Sequence, residues 1–490
     1  MWDVTIQVVK TKNSKSADRA GSALKSELGA RLFGVWIIVF GLLAFLIFIL
    51  LPRKPASGSD FHPADKEPGS VTGSGGLGRP QTPLLRRPST PSATSTAEEL
   101  VAAKVSEFGR QRRDVAQTMA ARAGFTMPPE VQRFFDAVEL GKWEEITNRF
   151  AAIDGHGPEG SSVPKRSPEV QASWPAILDA FGAAEAAHQW PAQKLLDYGN
   201  TVLDSLRPGM AYFGGTDPGR WIPGLLNDTT DGERHVILTQ NGLADNSYRD
   251  YAALLYPDQV SLPTQADSDR IFQDYMADAR KRLEHDQQHP DEPKQVLPGE
   301  NISITDDRLE VSGQSAVMAI NEKLLQAILQ KNPDLSFAME ESFPLKSTYA
   351  DATALGPILE LRAAGGAAAL TPDTAAQIVD YWRAASQQIL SGPDDGQPAE
   401  ALKTYSHDAV AQANLLSNRG FDAEAEQGYR IASELWPDNP ESVAGLSETL
   451  AREGRADEAR QLLADFAGRN PDQRSALESS AAWHLLITPH

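Results

Sequence analysis

The stretch GMAYFGGTDPGRWIPGLLND, Gly209–Asp228, reads as a strand, a glycine loop and the start of a helix. Met210–Phe213 is a short apolar run of the kind that fills a buried strand. Gly214 and Gly215 carry no Cβ and allow close backbone approach. Thr216 or Asp217 can cap the helix that follows, and Pro218 suits its first turn. The same order recurs downstream. His235–Thr239 (HVILT) reads as a strand, QNGLADNSY as a loop and RDYAALLY as a helix. A short strand over 258–264, a long helix over Asp267–His285 and a hairpin of Asn301–Ile304 with Leu309–Val311 come next. A helix over Gln314–Gln330 and strands at Leu335–Met339 and Pro357–Leu361 complete the series. Strands alternating with helices predict a Rossmann-like α/β domain over 207–363 with a mainly parallel sheet.

In such sheets ligands bind beyond the carboxyl ends of the strands, where loops lead into helix N-termini. The first such loop is Gly214–Arg220. A helix N-terminus offers free N–H groups, and Arg220 can add a bidentate clamp for an anion. The residues that point to a ligand are Gly214, Gly215, Thr216, Asp217 and Arg220, with Asn241 and Asp245 from the second loop and Glu340 after Met339. Asp217, Asp245, Glu340 and Glu341 together would suit a divalent cation or general acid–base work. The plainer alternatives stay open. GGTDPG is also an ordinary strand-to-helix turn, matches no P-loop or dinucleotide fingerprint, and carries an acid that competes with phosphate. The four carboxylates fit solvated loops equally well. His285 and His289 sit four apart, a spacing that can hold a metal, but Pro290 favours a fraying helix end. No metal site, cofactor or catalytic residue is assigned.

Residues 98–206 read as helical. AEELVAAKVSEFGRQRRDVAQTMAARAG has Glu98 and Glu99 in its first turn and Gly124 as its stop. Val131, Phe134, Phe135 and Val138 form an apolar stripe, and Glu139–Phe150 reads as the turn of a helical hairpin. Trp143, Trp174 and Trp190 suit hairpin packing. The helical region 371–490 contains a self-match. Gly420 and Gly454, Glu424 and Glu458, Ala425 and Ala459, Gln427 and Gln461, and Pro437 and Pro471 recur at one fixed spacing of 34 residues. That period, with glycine at the turn and proline at the end, resembles tetratricopeptide repeats, two of them over about 405–473. Such repeats bind peptides or proteins in a groove; packing against the middle domain is the alternative.

Leu32–Leu51 runs LFGVWIIVFGLLAFLIFILL without a charge. At 1.5 Å per residue it reaches about 30 Å, a hydrocarbon core. It is too long for a signal peptide and ends on Pro52, Arg53 and Lys54, so it reads as an uncleaved membrane helix. Lys10, Lys12, Lys15, Arg19, Lys25 and Arg31 precede it, which places the tail 1–31 in the cytoplasm and the rest outside, the periplasm of a bacterium. Residues 52–97 hold eight prolines, six glycines and seven serines and read as a disordered linker. The predicted fold class is thus α plus α/β: membrane helix, linker, helical region, Rossmann-like domain and C-terminal tetratricopeptide-like repeats.

The chain holds 46 basic and 66 acidic residues, a net charge of −20. Residues 1–97 carry twelve Lys or Arg against six Asp or Glu, which leaves −26 on the remainder. So acidic a body is repelled by phosphate backbones, and nucleic acid is excluded as a partner. The absence of cysteine excludes disulfides, cysteine nucleophiles and thiolate metal sites.

GMAYFGGTDPGRWIPGLL, LTQNGLADNSYRDYAALLY, VMAINEKLLQAIL and FAMEESFPL, within about 190–365, carry a resemblance. They resemble the soluble, tetratricopeptide-associated portion of an uncharacterised family of bacterial membrane proteins of the Verrucomicrobia type. Some members look like fusions to protein O-mannosyltransferase-like modules. The resemblance implies a cell-envelope setting and a link to glycosylation, and it supplies no catalytic residue. The expected function is that of a membrane-tethered periplasmic interaction or assembly protein. The alternative is an enzyme or a sugar- or phosphate-binding domain with its site at Gly214–Arg220.

Overall fold

The computed structural model describes residues 5–7, 96–154, 166–297, 299–305, 308–341, 348–361, 370–391 and 399–487. The expected membrane helix Leu32–Leu51, the basic tail apart from 5–7, and nearly all of the linker lie outside these. Among the described residues no helix is long and apolar enough to cross a membrane. Thr5–Gln7 form a short strand, β1.

Five helices follow: α1 (Ala97–Arg122), α2 (Pro129–Glu139), α3 (Trp143–Asp154), α4 (Pro168–Gln189) and α5 (Ala192–Ser205). The Thr96 hydroxyl accepts from the Glu99 N–H at 3.2 Å while the Glu99 carboxylate accepts from the Thr96 N–H at 3.0 Å, a capping box that starts α1. Val131, Phe134, Phe135 and Val138 of α2 are fully buried. Phe150 stacks on Phe181 with centroids 3.8 Å apart, and Trp143 stacks on His188 at 4.4 Å. The aromatic residues are thus the packing surface of the hairpins.

The chain then builds β2 (Ala211–Gly214), α6 (Pro218–Asp228), β3 (Val236–Thr239), α7 (Asn246–Leu255) and α8 (Gln265–Gln288). Next come β4 (Asn301–Thr305), β5 (Arg308–Ser312), α9 (Gln314–Lys331), β6 (Phe337–Met339), β7 (Ala352–Leu355) and β8 (Ile358–Leu361). The C-terminal helices are α10 (Pro372–Leu390), α11 (Ala399–Asn418), α12 (Asp422–Leu435), α13 (Pro440–Arg452), α14 (Ala456–Arg469), α15 (Arg474–Glu478) and α16 (Ala481–Leu486).

This overturns the predicted Rossmann-like α/β domain. The described residues are mostly helical, with a small mixed sheet of order β3-β2-β6-β8-β7. Parallel pairing is confined to β3, β2 and β6, and β8 and β7 run antiparallel. The reason lies in the connections. A parallel neighbour needs a crossover, usually an α-helix, and among the described residues only a short 3-10 turn, Thr348–Asp351, and β7 stand between β6 and β8. β7 and β8 meet instead at a tight turn where Gly356 takes φ +59°. The hairpin expected at 301–311 forms, but β4 and β5 join β1 in a separate antiparallel sheet. The strand expected over 258–264 does not form. Asp258 takes φ +61°, and the chain runs into the capping box that Thr264 makes with Asp267 at the start of α8.

One hydrophobic core extends from Val101 to Ala459 and draws on the N-terminal helices, the sheet and the C-terminal helices. α4 meets α6 through Gly182, where an added Cβ would fall 2.1 Å from the Trp221 ring. α11 lies against β7 and β8, with the Gln412 amide donating to the carbonyls of Gly356 (2.7 Å) and Ile358 (3.1 Å).

Candidate functional site

From β2 the chain goes to β3 on one side, and β6 lies on the other. The carboxyl ends of β2 and β6 therefore border the point where chain direction diverges, the usual place for a site in an open sheet with parallel strands. Gly214–Arg220 leaves β2 there, and Glu340 follows β6, its N–H donating to the Phe213 carbonyl at 2.8 Å.

Asp217 caps α6, accepting from the Gly219 N–H at 3.1 Å. The Glu340 carboxyl lies across the same helix start. Its Oε2 faces the Gly215 N–H and the Tyr212 hydroxyl, each at 3.4 Å. Asp217 and Glu340 thus face the same helix start, one at the Gly219 N–H and the other beside the Gly219 Cα. A Cβ on Gly219 would lie 1.6 Å from Glu340 Oε1, and one on Gly214 would lie 2.6 Å from the Arg220 Cβ and 3.0 Å from Glu340 Oε2. The glycines do permit a close approach, and the group that approaches is the chain's own carboxyl. Glu340 fills the niche at the α6 N-terminus that an anion would take.

A third carboxyl arrives from α11. Asp408 is 1% exposed, its Oδ2 accepts from the Tyr198 hydroxyl at 3.1 Å, and its Oδ1 has no hydrogen-bond partner. Burial, then the charges of Asp217 and Asp408, push Glu340 well above the usual carboxylate range. Burial likewise raises Asp408, with Asp217 adding to it, and raises Asp217 despite the nearby His407 and Arg220. Burial works against a charged His407, but the Glu441 carboxylate 3.0 Å from its Nδ1 outweighs this and raises it.

Arg220 faces elsewhere. Its Nε donates to the Gly215 carbonyl at 2.6 Å and its Nη1 to Asp179 Oδ1 at 2.8 Å. Asp179 also accepts from Arg112 Nε at 3.4 Å and from the Tyr251 hydroxyl at 2.5 Å, and Arg112 pairs with Asp228. Burial opposes the Asp179 charge, but the two guanidinium groups and Tyr251 hold its carboxyl below the usual range. This buried ionic knot borders a cavity of about 10 Å³, room for a water molecule. Arg220 is thus committed to Asp179 and is not presented as an anion clamp.

Of the remaining predicted residues, Asn241 joins the loop, its Nδ2 donating to Thr216 Oγ1 at 3.3 Å. Asp245 does not join the carboxyl group. It caps α7, accepting from the Ser247 N–H and hydroxyl, both at 2.8 Å. His285 and His289 lie 4.8 Å apart, each facing Glu292. Among the described residues no group of three or more His, Cys, Asp or Glu side chains is placed to hold a metal ion. Asp408, Tyr198, Tyr212, Arg112 and Asp179 were not foreseen. Their only trace in the sequence is a charged or phenolic residue amid small apolar ones, as in SHDAVAQANLL.

No protein-family model, no curated protein and no solved structure matches this chain.

Proposed function

We infer that the chain is a membrane-tethered periplasmic interaction or assembly protein that engages a protein or peptide partner through its C-terminal helices. The observation behind this reading is the repeat geometry. α12 and α14 start and end at residues 34 apart, and Gly420 and Gly454 take matching φ values of +80° and +83° at the preceding turns. α11 of the first repeat is committed to the sheet, so the partner surface belongs to the rim it shares with α13. There Lys403 Nζ sits 5.4 Å from the Trp436 ring centroid and His407 pairs with a half-exposed Glu441. A mixed-charge rim around an indole suits a polar peptide. The tether rests on Leu32–Leu51, and the link to envelope glycosylation rests on the family resemblance.

In a chain inserted with residues 1–31 across the bilayer, β1 would be parted from β5, leaving the β4–β5 hairpin. The cysteine-free sequence allows a clean topology test. Lys15→Cys and Leu140→Cys are compared in intact cells with a membrane-impermeant maleimide. Labelling of Leu140→Cys alone is expected, and labelling of Lys15→Cys would reverse the orientation. For the partner, a photo-crosslinking residue at position 441 should give a discrete adduct that Trp436→Ala abolishes, whereas one at position 140 should not. Equal adducts at both positions would count against the repeats as the binding surface.

A second reading, an acid–base enzyme or sugar-binding domain at Gly214–Arg220, draws on the Asp217–Glu340 pair. A phosphorylated substrate fits it poorly, because Glu340 already fills the anion niche. It requires that Asp217→Asn abolish turnover or glycan binding in a folded protein.

A further inference from the structure

β5 has a strand on each side. β4 is its hairpin partner, and β1, from the far N-terminus, lies along the other edge. The β1 pairing is antiparallel, with Thr5 opposite Ser312, Ile6 opposite Val311 and Gln7 opposite Glu310. Polar residues thus stand opposite polar ones, and the aliphatic residue opposite an aliphatic one. The match belongs to a longer pattern in the sequence. Trp2, Val4, Ile6 and Val8 alternate with Asp3, Thr5 and Gln7, the two-residue period of a half-buried strand. Along β5, the buried Leu309 and Val311 alternate with the half-buried Glu310 and Ser312.

The hairpin does not depend on β1 for its place. Glu300, directly before β4, accepts from the Tyr275 hydroxyl at 2.5 Å and from Arg282 Nη2 at 2.9 Å, both on α8. Just after β5, Gly313 takes φ +101° and closes on the Gly299 carbonyl, which would lie 2.2 Å from an added Cβ. The two ends of the hairpin are therefore clasped together and pinned to α8. Withdrawal of β1 leaves β5 as a formed edge whose main-chain N–H and C=O groups lack partners.

We propose that this edge of β5 is a strand-addition site for an extended segment of polar–aliphatic–polar alternation, covered by Thr5–Gln7 when the tail shares a compartment with the body and vacated for a partner polypeptide by membrane insertion.

The vacated state rests on the orientation inferred above, with residues 1–31 across the bilayer. There the tail is parted from β5, and the edge faces the compartment of the body. A partner segment gains main-chain hydrogen bonds along β5 and sets its aliphatic residue opposite Val311, as Ile6 does. Before insertion the chain's own strand keeps the edge from indiscriminate pairing.

The chain has no cysteine, so an introduced disulfide reports the pairing directly. Opposite residues of antiparallel strands have Cα atoms about 4.5–5.5 Å apart, within disulfide range. The full-length Thr5→Cys, Ser312→Cys chain is oxidised in detergent, where no bilayer parts tail from body, and in native membranes. Residues 8–31 span up to about 80 Å when extended, enough to pass around a micelle. A bond within one chain is expected in detergent and none in membranes.

The edge itself is probed in detergent with a fluorescent synthetic peptide of residues 1–10, read by anisotropy. The full-length Ile6→Pro, Gln7→Pro chain leaves the body untouched. One of its two lost N–H groups belongs to the side of β1 that faces β5. It should bind the peptide at least roughly tenfold more tightly than the disulfide-locked chain, whose own strand fills the edge. Equal binding by the two chains, binding by neither, or no disulfide in detergent would overturn the strand site whatever the orientation. A disulfide formed in membranes would overturn the vacated state, and it would do so by showing that the inferred orientation is wrong.

Discussion

Gly219 has space for a hydrogen and no more, because Glu340 Oε1 occupies the place of its missing Cβ. Gly219→Ala should lower stability by about 1–3 kcal/mol in denaturant titration, the range for overpacking. Glu340→Ala removes the obstructing group, so the double variant should be less destabilised than the sum of the singles, with a coupling of roughly 0.5–3 kcal/mol. Additive effects would mean that the two residues do not touch. Arg220 has a different signature. Its removal leaves Asp179 buried with Arg112 as its remaining cation, and Arg220→Ala should cost about 3–5 kcal/mol, read as a shift of the urea midpoint. An anion clamp would instead lose ligand binding with stability unchanged. At this scale the glycines and the Asp217 cap were legible from local grammar. The occupant of the niche was not, because Gly215 and Glu340 are 125 positions apart.

The repeat turns allow a test of single elements. Gly420 and Gly454 lie in the left-handed region, and a Cβ at either would meet nothing within 4 Å. Substitution by alanine therefore carries a conformational cost alone, about 1–2 kcal/mol at each site, and asparagine should cost less. Thermal unfolding of Gly420→Ala and Gly454→Ala should show near-equal losses; a large difference would mean that the two turns are not equivalent. Elements with a strong period and a clear start signal were readable in advance. The long helices follow the capping residues and apolar stripes, and the 34-residue repeat gave the equivalence of α12 and α14. Short apolar runs were ambiguous. DQVSLPT forms no strand, ATAL forms an unpredicted one, and the direction of β8 depends on a connection that no local pattern records.

On the scale of the whole molecule, α11 belongs to the repeats by sequence and to the body by packing. Deleting 405–490 would strip Gln412 from the carbonyls of β8 and its turn, and Asp408 from Tyr198. In a chain begun at Thr96, that truncation should aggregate, whereas ending it after Gly454 should leave a soluble, cooperatively unfolding body; the comparison is made by size-exclusion chromatography and calorimetry. A soluble, folded 96–404 fragment would show that the first repeat is a separate arm. The sequence by itself determined the apolar segment long enough to span a bilayer, the acidic body, the helix starts and the repeat period, because each depends on composition or on neighbours within a few turns. Only the tertiary structure decided that the sheet is small and mixed, that Arg220 is locked to Asp179, and that Glu340 fills the niche beside Gly219. Those outcomes depend on which remote surfaces bury one another, and a side chain's charge, partner and exposure are set by the burial.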